Sequence, residues 1–232
     1  MNAGSAQSIP YWNTLAKIWA AAVGAFNPVE GIRARAMTVQ GWISGDDSRE
    51  IVRTALSLGE NPTIVEVGVF LGRSVAMLAG ARSMRGSGKV HCVDPFDCSG
   101  EEYSMPFYRA ELQASGASTV ETAFLGNVKR LKLEAWIQVH KGTSSDIARR
   151  WTAPIDLLML DADHSPDGAL AIFEEWEPFL KPGGMLILPN TKVGKKTPGH
   201  DGNRRIVDET LRAPRFVEVR SVLSVTFARK AA

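Results

Sequence analysis

The sequence predicts an α/β domain: a seven-stranded, mostly parallel sheet with a C-terminal antiparallel hairpin and helices on both faces. Three observations predict it. Short β-branched runs alternate with helical patterns, which implies parallel strands joined by right-handed crossovers. The last two runs, Arg215–Arg220 and Val222–Ala228, have no helix between them and read as a hairpin. The polar clusters fall at the C-terminal ends of the strands, where open α/β sheets bind their ligands.

Composition fits such a domain. The 232 residues suit one α/β unit with an appendage, and 44% hydrophobic residues can fill a sizeable core. A net charge of +2 gives no argument for nucleic acid as a partner. Cys92 and Cys98 supply neither a disulfide framework nor metal-ligand spacing.

Taken in order, the chain opens with a small, polar stretch. From Pro10 a helical pattern places Trp12, Leu15, Ala16, Trp19, Val23 and Phe26 on one face. It is too short to span a bilayer, Lys17 interrupts it, and no basic n-region precedes it. The expectation is a cytoplasmic chain without membrane contact. Residues 1–36 read as an N-terminal tail and docking helix, with a homodimer contact as its other use; residues 37–232 form the main domain. Met37–Ser44 reads as a loop, and Asp46 or Asp47 is expected to cap a helix running to Leu58.

Gly59–Pro62 breaks that helix, and Thr63–Val67 is the first strand, followed by a helix from Arg73 to Ser83. The second strand is Lys89–Val93, ending on Asp94-Pro95. Two helical segments follow, 99–116 and 119–131, the first with Tyr103, Phe107, Tyr108 and Leu112 at helical spacing. That aromatic group reads as core, with an acceptor wall as the other reading. Strands at Ile137–His140, Ile155–Leu160 and Met185–Leu188 come next, with a helix between the last two at Ala169–Leu180. A loop from Lys192 to His200 leads into a helix from Asn203 to Leu211.

The stretch Ile64–Ser74 organises the chemistry. A strand ending on Glu66-x-Gly68, with Gly72 and Ser74 ahead of an apolar run, is a strand turning sharply into a helix. Glycine there lets the backbone approach a ligand, and the helix start offers free N–H groups. The spacing from Gly68 to Gly72 is wider than a dinucleotide fingerprint and has one glycine fewer, which disfavours NAD-linked redox chemistry. Asp94 ends the second strand 28 residues after Glu66, where a carboxylate can accept hydrogen bonds from ribose hydroxyls. In Gly142-Thr143-Ser144, Ser144 can meet a base edge or serve the helix cap, and Asp146 reads as a cap.

With Leu160-Asp-Ala-Asp-His164 and Pro182-Gly-Gly184, these motifs stand in the order found in class I S-adenosylmethionine (SAM)-dependent methyltransferases. From about residue 40 to 228 the chain resembles that family, and within it the catechol O-methyltransferase-like and natural-product small-molecule O-methyltransferases. The resemblance implies a Rossmann-like fold, SAM as cofactor and a small-molecule hydroxyl as acceptor. It implies that Gly68, Phe70 and Gly72 line the methionine part, with Ser74 near the carboxylate and Glu66 supporting the amino group. Asp94 would hold the ribose, Pro95 would lie along the adenine and Ser144 would touch its edge. Asp161 would face the sulfonium, and Gln40–Ser44 would cover the methionine tail.

An oxygen acceptor must also lose its proton, to a general base or to a metal that lowers its pKa. His164, three residues past Asp161, is the candidate base; the catechol branch carries a lysine at this place. The metal-dependent relatives use an acid at Asp161 and an Asp-Asn pair after the fifth strand. Here that pair is Pro189-Asn190, so Asp161 and Asn190 remain as ligands for Mg²⁺, with Asp163 as a substitute. The lysines of the Lys192–His200 loop suit an anionic acceptor or a solvated loop, and His200 is a weaker base candidate. The altered Pro189-Asn190 pair also admits a binding or regulatory protein that keeps the fold without catalysis.

Overall fold

The protein is described by a computed structural model covering residues 27–192, 194 and 197–232. The docking helix expected before residue 27 lies outside the described residues.

Two helices precede the sheet. The first, α1 (Pro28–Ala36), starts at Asn27, whose side chain accepts from the Glu30 N–H, and carries Pro28 where a missing N–H costs nothing. The second, α2, spans Gly45–Ser57. Its N-cap is Ser44, not Asp46 or Asp47. Asp47 is buried and accepts instead from the Ser224 hydroxyl at 2.7 Å, tying α2 to the C-terminal hairpin. A tertiary partner has displaced the local cap.

The strands follow the expected alternation. They are β1 (Thr63–Val67), β2 (Lys89–Asp94), β3 (Ile137–Lys141), β4 (Ile155–Leu160), β5 (Leu180–Leu188), β6 (Phe216–Val222) and β7 (Val225–Lys230). Between them run α3 (Arg73–Arg85), α4 (Met105–Ser115), α5 (Val120–Leu131), α6 (Ser144–Ala148), α7 (Pro166–Trp176) and α8 (Gly202–Glu209). The sheet order is β3-β2-β1-β4-β5-β7-β6, with β7 alone antiparallel to its neighbours. The hairpin turn falls at Leu223-Ser224, so Val222 belongs to β6 rather than β7.

Period-two burial divides the core between the faces. Ile64, Cys92, Leu157, Met159 and Ile187 pack under α1, α2, α3 and α5. Val65, Val93, Leu158, Leu160 and Leu188 pack under α6, α7 and α8. No helix among the described residues is long and apolar enough to cross a membrane. The order reverses between β1 and β4, and this switch point positions the site.

Candidate active site

Three strands end level at the switch point. Val67 pairs with Val93 on one side and Leu160 on the other, so Gly68, Asp94 and Asp161 sit side by side at the sheet's edge. The Gly68 N–H donates to the Val93 carbonyl and the Asp161 N–H to the Val67 carbonyl, each at 2.8 Å. Gly68 has φ +84°, and a Cβ there would collide with the backbone of Asp161 and Ala162. Glycine is required by conformation and by space alike. Gly72, at φ +90°, starts α3, and a Cβ on it would meet the Phe124 ring at 2.9 Å.

Phe70, between the glycines, is held at φ +46°. Asp94 supplies the constraint: its Oδ2 accepts from the Val69 N–H at 2.8 Å and the Phe70 N–H at 3.0 Å. Its Oδ1 accepts from the Phe96 N–H at 2.6 Å. A carboxylate offers about four acceptor positions. Asp94 therefore shapes the glycine loop and keeps capacity for one further donor.

A cleft of two lobes opens over these strand ends. One, of about 280 Å³, is walled by the 40–43 loop, Gly68–Ser74, Tyr103, Phe107, His164, Asn190 and His200. The other, of about 330 Å³, is lined by Asp94, Pro95, Cys98, Ser144 and Asp163 among others. Gly68, Phe70, Tyr108 and Asp161 border both lobes. The aromatic group of the α4 region is thus a wall and not core: Tyr103 and Phe107 are about half exposed, and Tyr108 packs at a tilt against Phe70 and Trp42.

The electrostatics of the cleft are one-sided. Glu66 is fully buried; it accepts from the Ser74 hydroxyl, and its Oε2 has no partner. Burial pushes its pKa well above the ordinary value, the Ser74 bond opposing, with Asp161 and Asp94 adding to the rise. Burial raises Asp94 as well, against its three N–H bonds. Asp161 is pushed up to about 7 by burial, with the Glu101 charge adding. Among the described residues none of the three pairs with a lysine or arginine. Such a site favours a ligand that brings positive charge.

The floor of the first lobe carries two imidazoles. His164 is buried, and its Nε2 lies 2.9 Å from the Asn190 amide nitrogen and 3.5 Å from Asp161 Oδ1. Its Nδ1 is buried without a partner. Burial lowers its pKa to about 4, so at neutral pH it is uncharged. His200 packs edge-on to it at 4.8 Å between ring centroids, with its Nδ1 2.7 Å from Glu101 Oε1. Glu101 also accepts from the Ser104 hydroxyl and, at 3.1 Å, from the His164 N–H. Burial alone would raise Glu101, but these bonds outweigh it and bring the carboxylate to about 2.

The site residues read from the sequence thus cluster along one edge. Gly68, Phe70, Gly72, Ser74, Asp161, His164 and Asn190 border the first lobe, with Glu66 behind Ser74; Asp94, Pro95 and Ser144 border the second. Ser144 reaches its lobe while donating to Glu175 at 3.1 Å and accepting from the Trp176 indole at 2.8 Å. Sequence reasoning passed over Glu101 and Ser104, which lie in an aperiodic polar stretch, and Glu101 meets His200 from 99 residues away. It also passed over Arg73, whose guanidinium pins the 39–43 loop through the Val39 carbonyl at 2.7 Å and the Ile43 carbonyl at 3.2 Å.

The donor set fits Mg²⁺ poorly. Pro189 has no side-chain oxygen, and Asn190 directs its amide nitrogen to His164. Asp163 accepts from the Ser165 N–H at 2.7 Å. Among the described residues no three His, Cys, Asp or Glu side chains converge as metal ligands. Of the loop lysines only Lys192 is described, and it is exposed. The site fits SAM better. Its carboxylates lack cations, Glu66 has an orphaned oxygen, and two joined lobes match a ligand with a nucleoside at one end and an amino-acid tail at the other.

Residues 65–191 match a family model described as a methyltransferase domain. Among solved structures, an O-methyltransferase from Bacillus cereus in complex with SAH is similar at a TM-score of 0.58 and 17% identity. The alignment covers 97% of this chain and 94% of that one. The O-methyltransferase TomG from Streptomyces achromogenes, involved in tomaymycin synthesis and solved with SAM, aligns at a TM-score of 0.57 and 17% identity. There the coverage is 96% of this chain and 95% of that one. At such identities the likeness establishes the fold.

Proposed function

The chain belongs to the methyltransferase-domain family, and we propose on that premise that it moves the methyl group of SAM to a hydroxyl of a small molecule. One observation carries the reading. Three carboxyl groups, Glu66 fully buried and Asp94 and Asp161 partly so, surround a cleft at the switch point, and among the described residues no lysine or arginine pairs with them. SAM brings an ammonium and a sulfonium to that cleft, and its ribose brings two hydroxyl donors.

Each residue then has a task. Glu66, through Ser74, supports the ammonium end. Gly68, Phe70 and Gly72 let the backbone close on the methionine tail, and the loop held by Arg73 covers it. Asp94 takes a ribose hydroxyl on its remaining acceptor position, with Pro95 and Ser144 beside the base. Asp161 borders both lobes, which suits it to face the sulfonium. When bound, SAM supplies a methyl carbon open to in-line attack by an oxygen lone pair, while the carbon–sulfur pair stays on sulfur. The protein contributes position and a base. The place of His164 after Asp161 makes it the first candidate for that base, but burial lowers its pKa to about 4, which leaves it uncharged and a weak proton acceptor at neutral pH.

The likeness to two O-methyltransferases supports oxygen as the acceptor atom. The test is methyl transfer from isotopically labelled SAM to a panel of phenols, hydroxy acids and sugars. Labelled product from any of them supports the reading. SAH binding without transfer to any acceptor favours a binding protein, and absence of SAH binding overturns the reading.

A further inference from the structure

The first lobe holds a second imidazole that the motif pattern does not assign. His164 has its Nε2 engaged, 2.9 Å from the Asn190 amide and 3.5 Å from Asp161, and its Nδ1 is buried. His200 is placed differently. Its Nδ1 lies 2.7 Å from Glu101 Oε1, and its Nε2 makes no hydrogen bond among the described residues. A carboxylate bonded to Nδ1 fixes the tautomer, with Nδ1 carrying the hydrogen and Nε2 keeping the lone pair. The same device orients the base in carboxylate–histidine catalytic pairs on unrelated folds.

We propose that His200 is the catalytic imidazole that takes the acceptor's proton and that Glu101 is its positioning residue. The proposal rests on the methyl-transfer reading and refines its base. As the oxygen's lone pair forms the new carbon–oxygen bond, the O–H proton passes to His200 Nε2. The carbon–sulfur pair returns to sulfur, and the imidazolium later yields its proton to solvent.

The surroundings favour this assignment. Glu101 is nearly buried, yet it receives hydrogen bonds from His200, Ser104 and the His164 backbone N–H. Those bonds keep it ionised far below neutral pH. A buried anion against Nδ1 stabilises the imidazolium that forms at His200. Tyr103 packs on the His200 ring at 4.7 Å and His164 at 4.8 Å, which hold it at the cavity wall. Glu101 also ties three segments together: the loop after β2, the loop after β4 and the loop after β5.

Two readouts test the pair. The chain has four histidines, so two-dimensional ¹⁵N–¹H spectra of the labelled protein can resolve each tautomer. The expected result is an Nδ1–H tautomer for His200, weakened in Glu101→Gln. An Nε2–H tautomer in the wild type overturns the proposal. Second, His200→Ala is expected to lower turnover of the best panel acceptor about 10²- to 10⁴-fold, with added imidazole restoring part of it. SAH affinity should stay near the wild-type value. His200→Ala turning over at the wild-type rate overturns the proposal, as does imidazole rescue confined to His164→Ala, and both leave methyl transfer intact. Loss of SAH binding by the wild type would instead overturn the underlying reading.

Discussion

Asp161 has no lysine or arginine partner among the described residues, and burial brings its pKa to about 7. A sulfonium beside it favours the ionised form, so SAM binding near pH 6 should release up to one proton, and near pH 8.5 almost none. Calorimetry in buffers of different ionisation enthalpy measures that release. Asp161→Asn should abolish it and weaken SAM more than SAH, since only SAM is cationic at sulfur. The same groups set stability against pH. Asp161 titrates above its ordinary value, so its contribution is full at acid pH and is lost as pH rises toward about 7. His164 titrates below its ordinary value, so its contribution is present above about 6.5 and is lost as pH falls through about 4. The two slopes oppose. Asp161→Asn should therefore gain stability relative to the wild type as pH rises from 4 to 7, as read by thermal melts. Gly68→Ala tests the backbone: a Cβ against the Asp161 carbonyl, at a left-handed φ, should cost about 1–3 kcal/mol and abolish SAH binding.

At the scale of elements, the site depends on contacts that hold strand ends and loops together. Asn203, buried at the start of α8, donates to the Leu160 and Pro189 carbonyls at 3.1 and 3.0 Å. It fastens the ends of β4 and β5, and with them Asp161, His164 and Asn190. Asn203→Ala strands two buried carbonyls and should cost about 1–3 kcal/mol in urea unfolding. Arg73→Met should free the 39–43 loop and weaken SAH about tenfold, or ~1.4 kcal/mol, with little change in stability. The first five strands were legible in the sequence because their apolar runs stop at Gly68, Asp94, Gly142, Asp161 and Pro189. The aromatic stripe of Tyr103, Phe107 and Tyr108 misled, because a helix lining a cavity shows the same periodicity as one lining a core. Asp47 misled because Ser224, far along the chain, competes for the carboxylate that a local cap would use.

Across the whole molecule, the sheet order gathers residues from Gln40 to Ser224 around one edge. The glycine loop, Asp94 and Asp161 could be read from sequence because each directly follows a recognisable strand. The Glu101–His200 pair could not, since it joins two irregular loops 99 residues apart that no local pattern marks. The same geometry bears on the metal question: with Pro189 in place of a carboxylate, EDTA should leave turnover unchanged. The central claim, a SAM cleft built from carboxylates that lack cations, is tested most directly by calorimetric titration of the purified chain with SAM and with SAH. The expected result is one site for each, with proton release confined to SAM and to the acid side of pH 7. Absence of binding by both ligands, or binding of NAD in their place, would contradict the account.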